Sequence, residues 1–100
     1  MTSYKKIEII TNSVELPAME RLFEQLRIPG YSVIPGVTGS GHRGRVSGDE
    51  MTGIFTNVYI LVAVPSSQME ALLSAVQPKI QKYGGICLVS DVEYLEHTNR

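Results

Sequence analysis

Residues 54–64, IFTNVYILVAV, read as a β-strand whose second half is apolar at every position. A strand with one face in water alternates apolar and polar residues; a strand that does not alternate is covered on both faces. That requirement limits the fold, because little else in the chain is available to cover two faces. Residues 5–11, KKIEIIT, do alternate, with Ile7 and Ile9 on one side and Lys6, Glu8 and Ile10 on the other. Tyr31 to Ile34 and Ile86 to Val89 read as two further strands, and Asp91 to Arg100 as a polar tail.

Helical spacing occurs twice. Leu16, Met19, Leu22, Phe23 and Leu26 recur every three or four positions, as do Met69, Leu72, Leu73, Val76 and Ile80. Asn12 with Glu15 resembles a capping box, but Pro17 would then fall too deep in the helix, so a cap at Ser13 or slightly later fits better. Pro29-Gly30 must end this helix. Ser67 with Glu70 predicts a capping box for the second helix, Pro78 a kink or break within it, and Gly84-Gly85 its end.

The order is strand, helix, strand, strand, helix, strand. This is the α+β, ferredoxin-like βαββαβ pattern: a four-stranded antiparallel sheet with two helices on one face. The other face of the sheet should then meet something else, and self-assembly is the simplest occupant.

Between the middle strands lies Pro35 to Gly53, PGVTGSGHRGRVSGDEMTG, with six of the nine glycines. Most connections in compact domains need about 2–6 residues, and much longer ones are usually functional or disordered. Gly39 to Gly44 satisfies G-x-G-x-x-G. The dinucleotide form of that motif joins a first strand to a helix, and here it joins two strands, so a Rossmann reading fails. The P-loop reading fails as well: Arg45 and Val46 stand where Lys and Ser/Thr are needed. The underlying chemistry survives. Glycines let backbone N–H groups converge on an anion, and arginine offers a planar fork to phosphate. Gly39, Gly41, Arg43, Gly44 and Arg45 form a candidate phosphate clamp, and a solvated loop is the equal alternative.

Other chemistry is sparse. Cys87, His42 and His97 have no metal-site spacing, and no metal is expected. Cys87, the only cysteine, reads as a small core residue and allows no internal disulfide. No catalytic constellation stands out, and the chain is read as a non-enzyme. The net charge of −1 argues against a partner held by nonspecific nucleic-acid electrostatics. The start, MTSYKKIEII, lacks the apolar core of a secretion signal, and the expectation is a cytoplasmic protein.

Taken together, these stretches resemble the PII signalling superfamily, most closely the PII-like regulators linked to bicarbonate transport. The resemblance rests on IEIIT at Ile7–Thr11, Gly30-Tyr31-Ser32-Val33, GSGHRGRVSG at Gly39–Gly48 and YGGICLVSDVEYL at Tyr83–Leu95. It implies a single PII-like domain over residues 1–100, with a T-loop at about 37–53 that engages a target protein. It implies a homotrimer with no covalent cofactor, binding AMP, ADP, ATP or cyclic AMP in clefts between subunits. The implied partner is a bicarbonate or inorganic-carbon transporter, which would recruit the protein to the membrane without insertion.

By position, Gly39, Gly41, Arg43 and Arg45 would contact phosphate. Tyr31, Ser32 and Val33 would lie along the adenine, with Gly85, Ile86 and Leu88 facing them. The chain departs from nitrogen-sensing PII proteins in having QPKIQKYGG in place of their glycine-rich B-loop, and its T-loop lacks the modified tyrosine. The alternative reading is a metal-responsive trimer of the divalent-cation-tolerance type, which shares the fold.

Overall fold

The computed structural model describes residues 1–39 and 56–96. Its elements run β1 (Thr2–Asn12), a 3-10 turn (Ser13–Glu15), α1 (Leu16–Gln25), β2 (Tyr31–Val37), β3 (Asn57–Pro65), α2 (Ser66–Tyr83) and β4 (Ile86–Tyr94). The strands form one four-stranded sheet in the order β2-β3-β1-β4. Every pairing is antiparallel. The expected ferredoxin-like arrangement is therefore present.

The alternation in β1 assigns the two faces. Ile7 and Ile9 are fully buried and stand opposite Val62 and Ile60 of β3. Met19 and Phe23 of α1 and Leu72 and Val76 of α2 close over them, completing the core with Val58 and Val64. The other face of the sheet carries Ile10, Tyr59 and Leu61 at the centre, with Ile34, Ile86 and Leu88 exposed toward the edges.

The entry to α1 shows how Asn12 and Pro17 coexist. The Asn12 side chain accepts a hydrogen bond from the Val14 N–H at 2.9 Å, capping the 3-10 turn rather than the α-helix. The α-helix then starts afresh with Pro17 in its first turn, where a missing N–H costs nothing. At the other end, the N–H groups of Arg27 and Ile28 donate to the carbonyls of Glu24 and Phe23 at 3.1 and 2.9 Å. This is a Schellman closure, with Arg27 at φ 57° in the place glycine usually takes.

Four expectations need correction. The Ser67–Glu70 capping box is not formed: α2 begins at Ser66, and its cap residue Pro65 still pairs with Tyr4 in the sheet. The chain therefore passes from strand to helix without a connector. Of the kink or break expected at Pro78, the break does not occur, and α2 continues to Tyr83. The carbonyl that loses its partner there belongs to Ser74, which is exposed and can turn to water. Finally, the segment after Val89 is strand as far as Tyr94, not tail. Lys5 pairs with Asp91, and the Tyr4 and Tyr94 rings stack at 4.5 Å. β2 also runs past Ile34, through a bulge at Pro35-Gly36, to Val37. Edge position makes this tolerable for a residue without an N–H.

Candidate functional site

Gly84 and Gly85 set the geometry where α2 turns into β4. Gly84 is buried at φ 89°, and its N–H donates to the Ile80 carbonyl at 2.8 Å, ending the helix. The Thr11 hydroxyl, itself buried, donates to the Gly84 carbonyl at 3.3 Å. Gly85 has φ +115°, and a Cβ there would sit 2.3 Å from the Ile10 carbonyl oxygen. Only glycine allows this contact. The chain is thus held against the end of β1, and Ile86 and Leu88 project side by side on the open face, 46% and 55% exposed. Cys87 points the other way, half-buried against the core, and burial pushes its thiol up from the ordinary value.

The second group lies along β2. Ser32 faces the open side, exposed, while Tyr31 and Val33 face the helices. The Tyr31 ring packs at 4.9 Å on Phe23. Partial desolvation, followed by the nearby carboxylates of Glu20 and Glu24, raises its phenol above the ordinary value. Gly39 follows the strand, and among the described residues nothing lies within 4 Å of where its Cβ would be. Gly41, Arg43 and Arg45 lie outside the described residues, as do His42 and the expected behaviour of the loop beyond Gly39.

These two groups do not meet within one chain. β2 and β4 are the two opposite edges of the sheet, with β3 and β1 between them. Adjacent strands are 4.7–4.9 Å apart, so the edges are separated by about 14 Å. Each edge carries one group of candidate residues: apolar side chains with a glycine-held backbone at β4, and an exposed strand at β2 that precedes the arginine-bearing segment in sequence.

Near the β4 group, the last turn of α2 carries Lys82, whose ammonium sits 5.3 Å from the centre of the Tyr83 ring. Among the described residues no group of three or more His, Cys, Asp and Glu could hold a metal ion. None of the described helices is long and apolar enough to cross a membrane.

Sequence reasoning missed Thr11. The signal for it was present, since Thr11 continues the inward positions of Ile7 and Ile9, and it is the polar residue of that row that the fold buries. The hydrogen bond from Tyr59 to Glu8 was also missed, because it crosses strands far apart in sequence.

Comparison with known proteins follows the same lines. A direct comparison with curated protein sequences found no match. Among solved structures, CPII from Thiomonas intermedia K12, a nitrogen regulatory PII-like protein bound to ADP, AMP and bicarbonate, superposes with a TM-score of 0.78 at 24% identity, over 92% of this chain and 94% of that one. A second CPII structure, bound to ADP and bicarbonate, gives 0.78 at 26% identity, over 92% and 88%. A PII-like signalling protein from Thermus thermophilus gives 0.69 at 20% identity, over 91% and 87%. The family model for nitrogen regulatory protein P-II matches residues 4–99. With nearly the whole chain matched and the fold shared, this protein belongs to the nitrogen regulatory protein P-II family.

Proposed function

We propose that the protein is a non-enzymatic regulator that binds an adenine nucleotide between subunits of a homotrimer and uses the segment between β2 and β3 to control a partner. The observation that carries this reading is the splitting of the candidate site between opposite sheet edges. Two half-sites on opposite edges join when the β2 edge of one copy faces the β4 edge of the next. Such a contact is head-to-tail, and head-to-tail contacts close into rings when the rotation between copies closes. Three copies would give three equivalent clefts. The ligands of CPII, ADP and AMP with bicarbonate, support the nucleotide and favour a partner in inorganic-carbon transport.

In each cleft, Tyr31, Ser32 and Val33 would line one side of the adenine, and Gly85, Ile86 and Leu88 of the neighbour the other. Gly39, Gly41, Arg43 and Arg45 would take the phosphates. Apolar side chains suit the base, and arginine with backbone N–H groups suits phosphate. A cytoplasmic regulator of this kind reaches the membrane by binding a transporter there.

Calorimetry with AMP, ADP, ATP and cyclic AMP tests the reading. Binding tighter than millimolar is expected for at least one of them, and Arg43→Ala should weaken it by about 1.5–3 kcal/mol, the range for a charge-assisted bond. Millimolar or weaker affinity for all four would reject the nucleotide. Capture of a transporter from lysate in only one nucleotide state would identify both target and switch.

A further inference from the structure

The open sheet face is largely apolar and carries one cation and one anion. Register places Lys6 and Glu8 there, two positions apart on β1, and they are the only charged residues that the described strands put on this face. Glu8 stands opposite Leu61 on one side and Leu88 on the other. Its Oε2 accepts a hydrogen bond from the Tyr59 hydroxyl at 2.7 Å. Its Oε1 lies 4.0 Å from the Lys6 ammonium, too far for a hydrogen bond. A carboxylate can accept about four hydrogen bonds and an ammonium can donate three. Each copy therefore carries a spare acceptor and a spare donor on one apolar surface, and the pair is complementary to itself.

We propose that Lys6 of one copy bonds Glu8 of the next across the open face, so that this pair sets the register in which the copies assemble. The proposal rests on the ring reading above and takes the open face as the one turned toward the other copies. Covering the face without such a bond would leave Glu8 with one partner in an apolar setting, a costly arrangement for a charge. With the bond, Tyr59 holds the carboxylate in place and the neighbour's ammonium completes it. A copy slipped by one open-face position along β1 would set Lys6 against Lys6 or Ile10 in place of Glu8, so wrong alignments are disfavoured. Glu8 and Tyr59 act as positioning residues for the assembly, and through it for the clefts at the sheet edges.

The test uses full-length protein, with sedimentation velocity and native mass spectrometry as readouts and circular dichroism to confirm folding. Wild type should assemble. Lys6→Glu and Glu8→Lys should each raise the dissociation constant by about a hundredfold or more, as expected for breaking a buried pair. In a ring of three, an equimolar mixture of these two variants restores opposite charges at two of the three contacts and leaves one like-charge contact, so mixing should tighten assembly relative to either variant alone without reaching wild type. A pair confined within each chain cannot be restored by mixing. Should Glu8→Lys not fold, Glu8→Gln keeps the shape and should still weaken assembly, and Lys6→Glu alters a side chain that is already 38% exposed. Single variants that assemble as tightly as wild type, or a mixture that assembles no more tightly than either variant alone, would overturn the pair and leave the ring standing. A wild-type protein that is monomeric at every concentration would overturn the ring and the pair together.

Discussion

Gly85 has the least freedom of any single residue in the candidate site. Its φ of +115° is strained for an L residue, and its missing Cβ, which would lie 2.3 Å from the Ile10 carbonyl oxygen, is what lets the two backbones meet. Gly85→Ala should therefore lower stability by about 2–4 kcal/mol, read by urea unfolding with an unchanged slope. Thr11→Val removes only the hydroxyl that reaches the Gly84 carbonyl and should cost about 0.5–1.5 kcal/mol. A larger loss for Thr11→Val than for Gly85→Ala would mean that the hydrogen bond, and not the close backbone approach, holds this corner.

Tyr59 offers a pH prediction at the same scale. Its hydrogen bond to Glu8, then burial, then the Glu8 charge, raise the phenol above the ordinary value. A raised folded value means that the folded state favours the neutral phenol. The resulting stability is complete below the unfolded value of about 10 and is lost as pH rises through the folded value. Thermal melts between about pH 8 and pH 11.5 should fall in the alkaline range. Tyr59→Phe should reduce that fall without changing its sign, since Tyr31 is raised as well.

Most of the secondary elements were legible in the sequence wherever burial drives a period. Ile7 and Ile9 mark β1, and Met19 with Phe23 and Leu72 with Val76 mark the two helix stripes. What escaped was decided by partners and not by pattern. Asp91 and Glu93 read as tail because they are polar, yet at an edge strand both can stay in water while Val92 and Tyr94 pair with β1. The Ser67–Glu70 box lost to a strand that continues to the helix itself. Pro78 lost to tertiary packing, since Val76 and Ile80 on either side of it are held by the core. Pro78→Ala restores a donor for the Ser74 carbonyl and a better helix former, offset by a more flexible unfolded chain. It should stabilise the protein by about 1–2 kcal/mol, raising the melting midpoint. No gain would mean that the helix is bent to fit the proline.

For the whole molecule, the decisive fact is strand order, which a linear sequence does not display. Ser32 and Ile86 can each be named from local pattern, but only the order β2-β3-β1-β4 puts them at opposite edges. A site shared between copies then has a distinctive consequence. Ser32→Arg spoils every β2 half-site and leaves the β4 halves intact, while Ile86→Arg does the reverse. Both side chains are exposed, so neither change should unfold the chain. Each variant alone should lose nucleotide binding. When the two are mixed and allowed to exchange subunits, an intact β2 edge from one copy can face an intact β4 edge from the other. Every mixed ring of three then has one whole cleft, and random exchange leaves roughly a quarter of the rings unmixed and without any. Calorimetry should show about one quarter of the wild-type sites at wild-type affinity, with assembly followed in parallel by sedimentation. A site built within one chain has both halves in the same copy, so mixing would recover nothing. If the mixture forms rings and still fails to bind, the cleft between copies is not where the nucleotide sits.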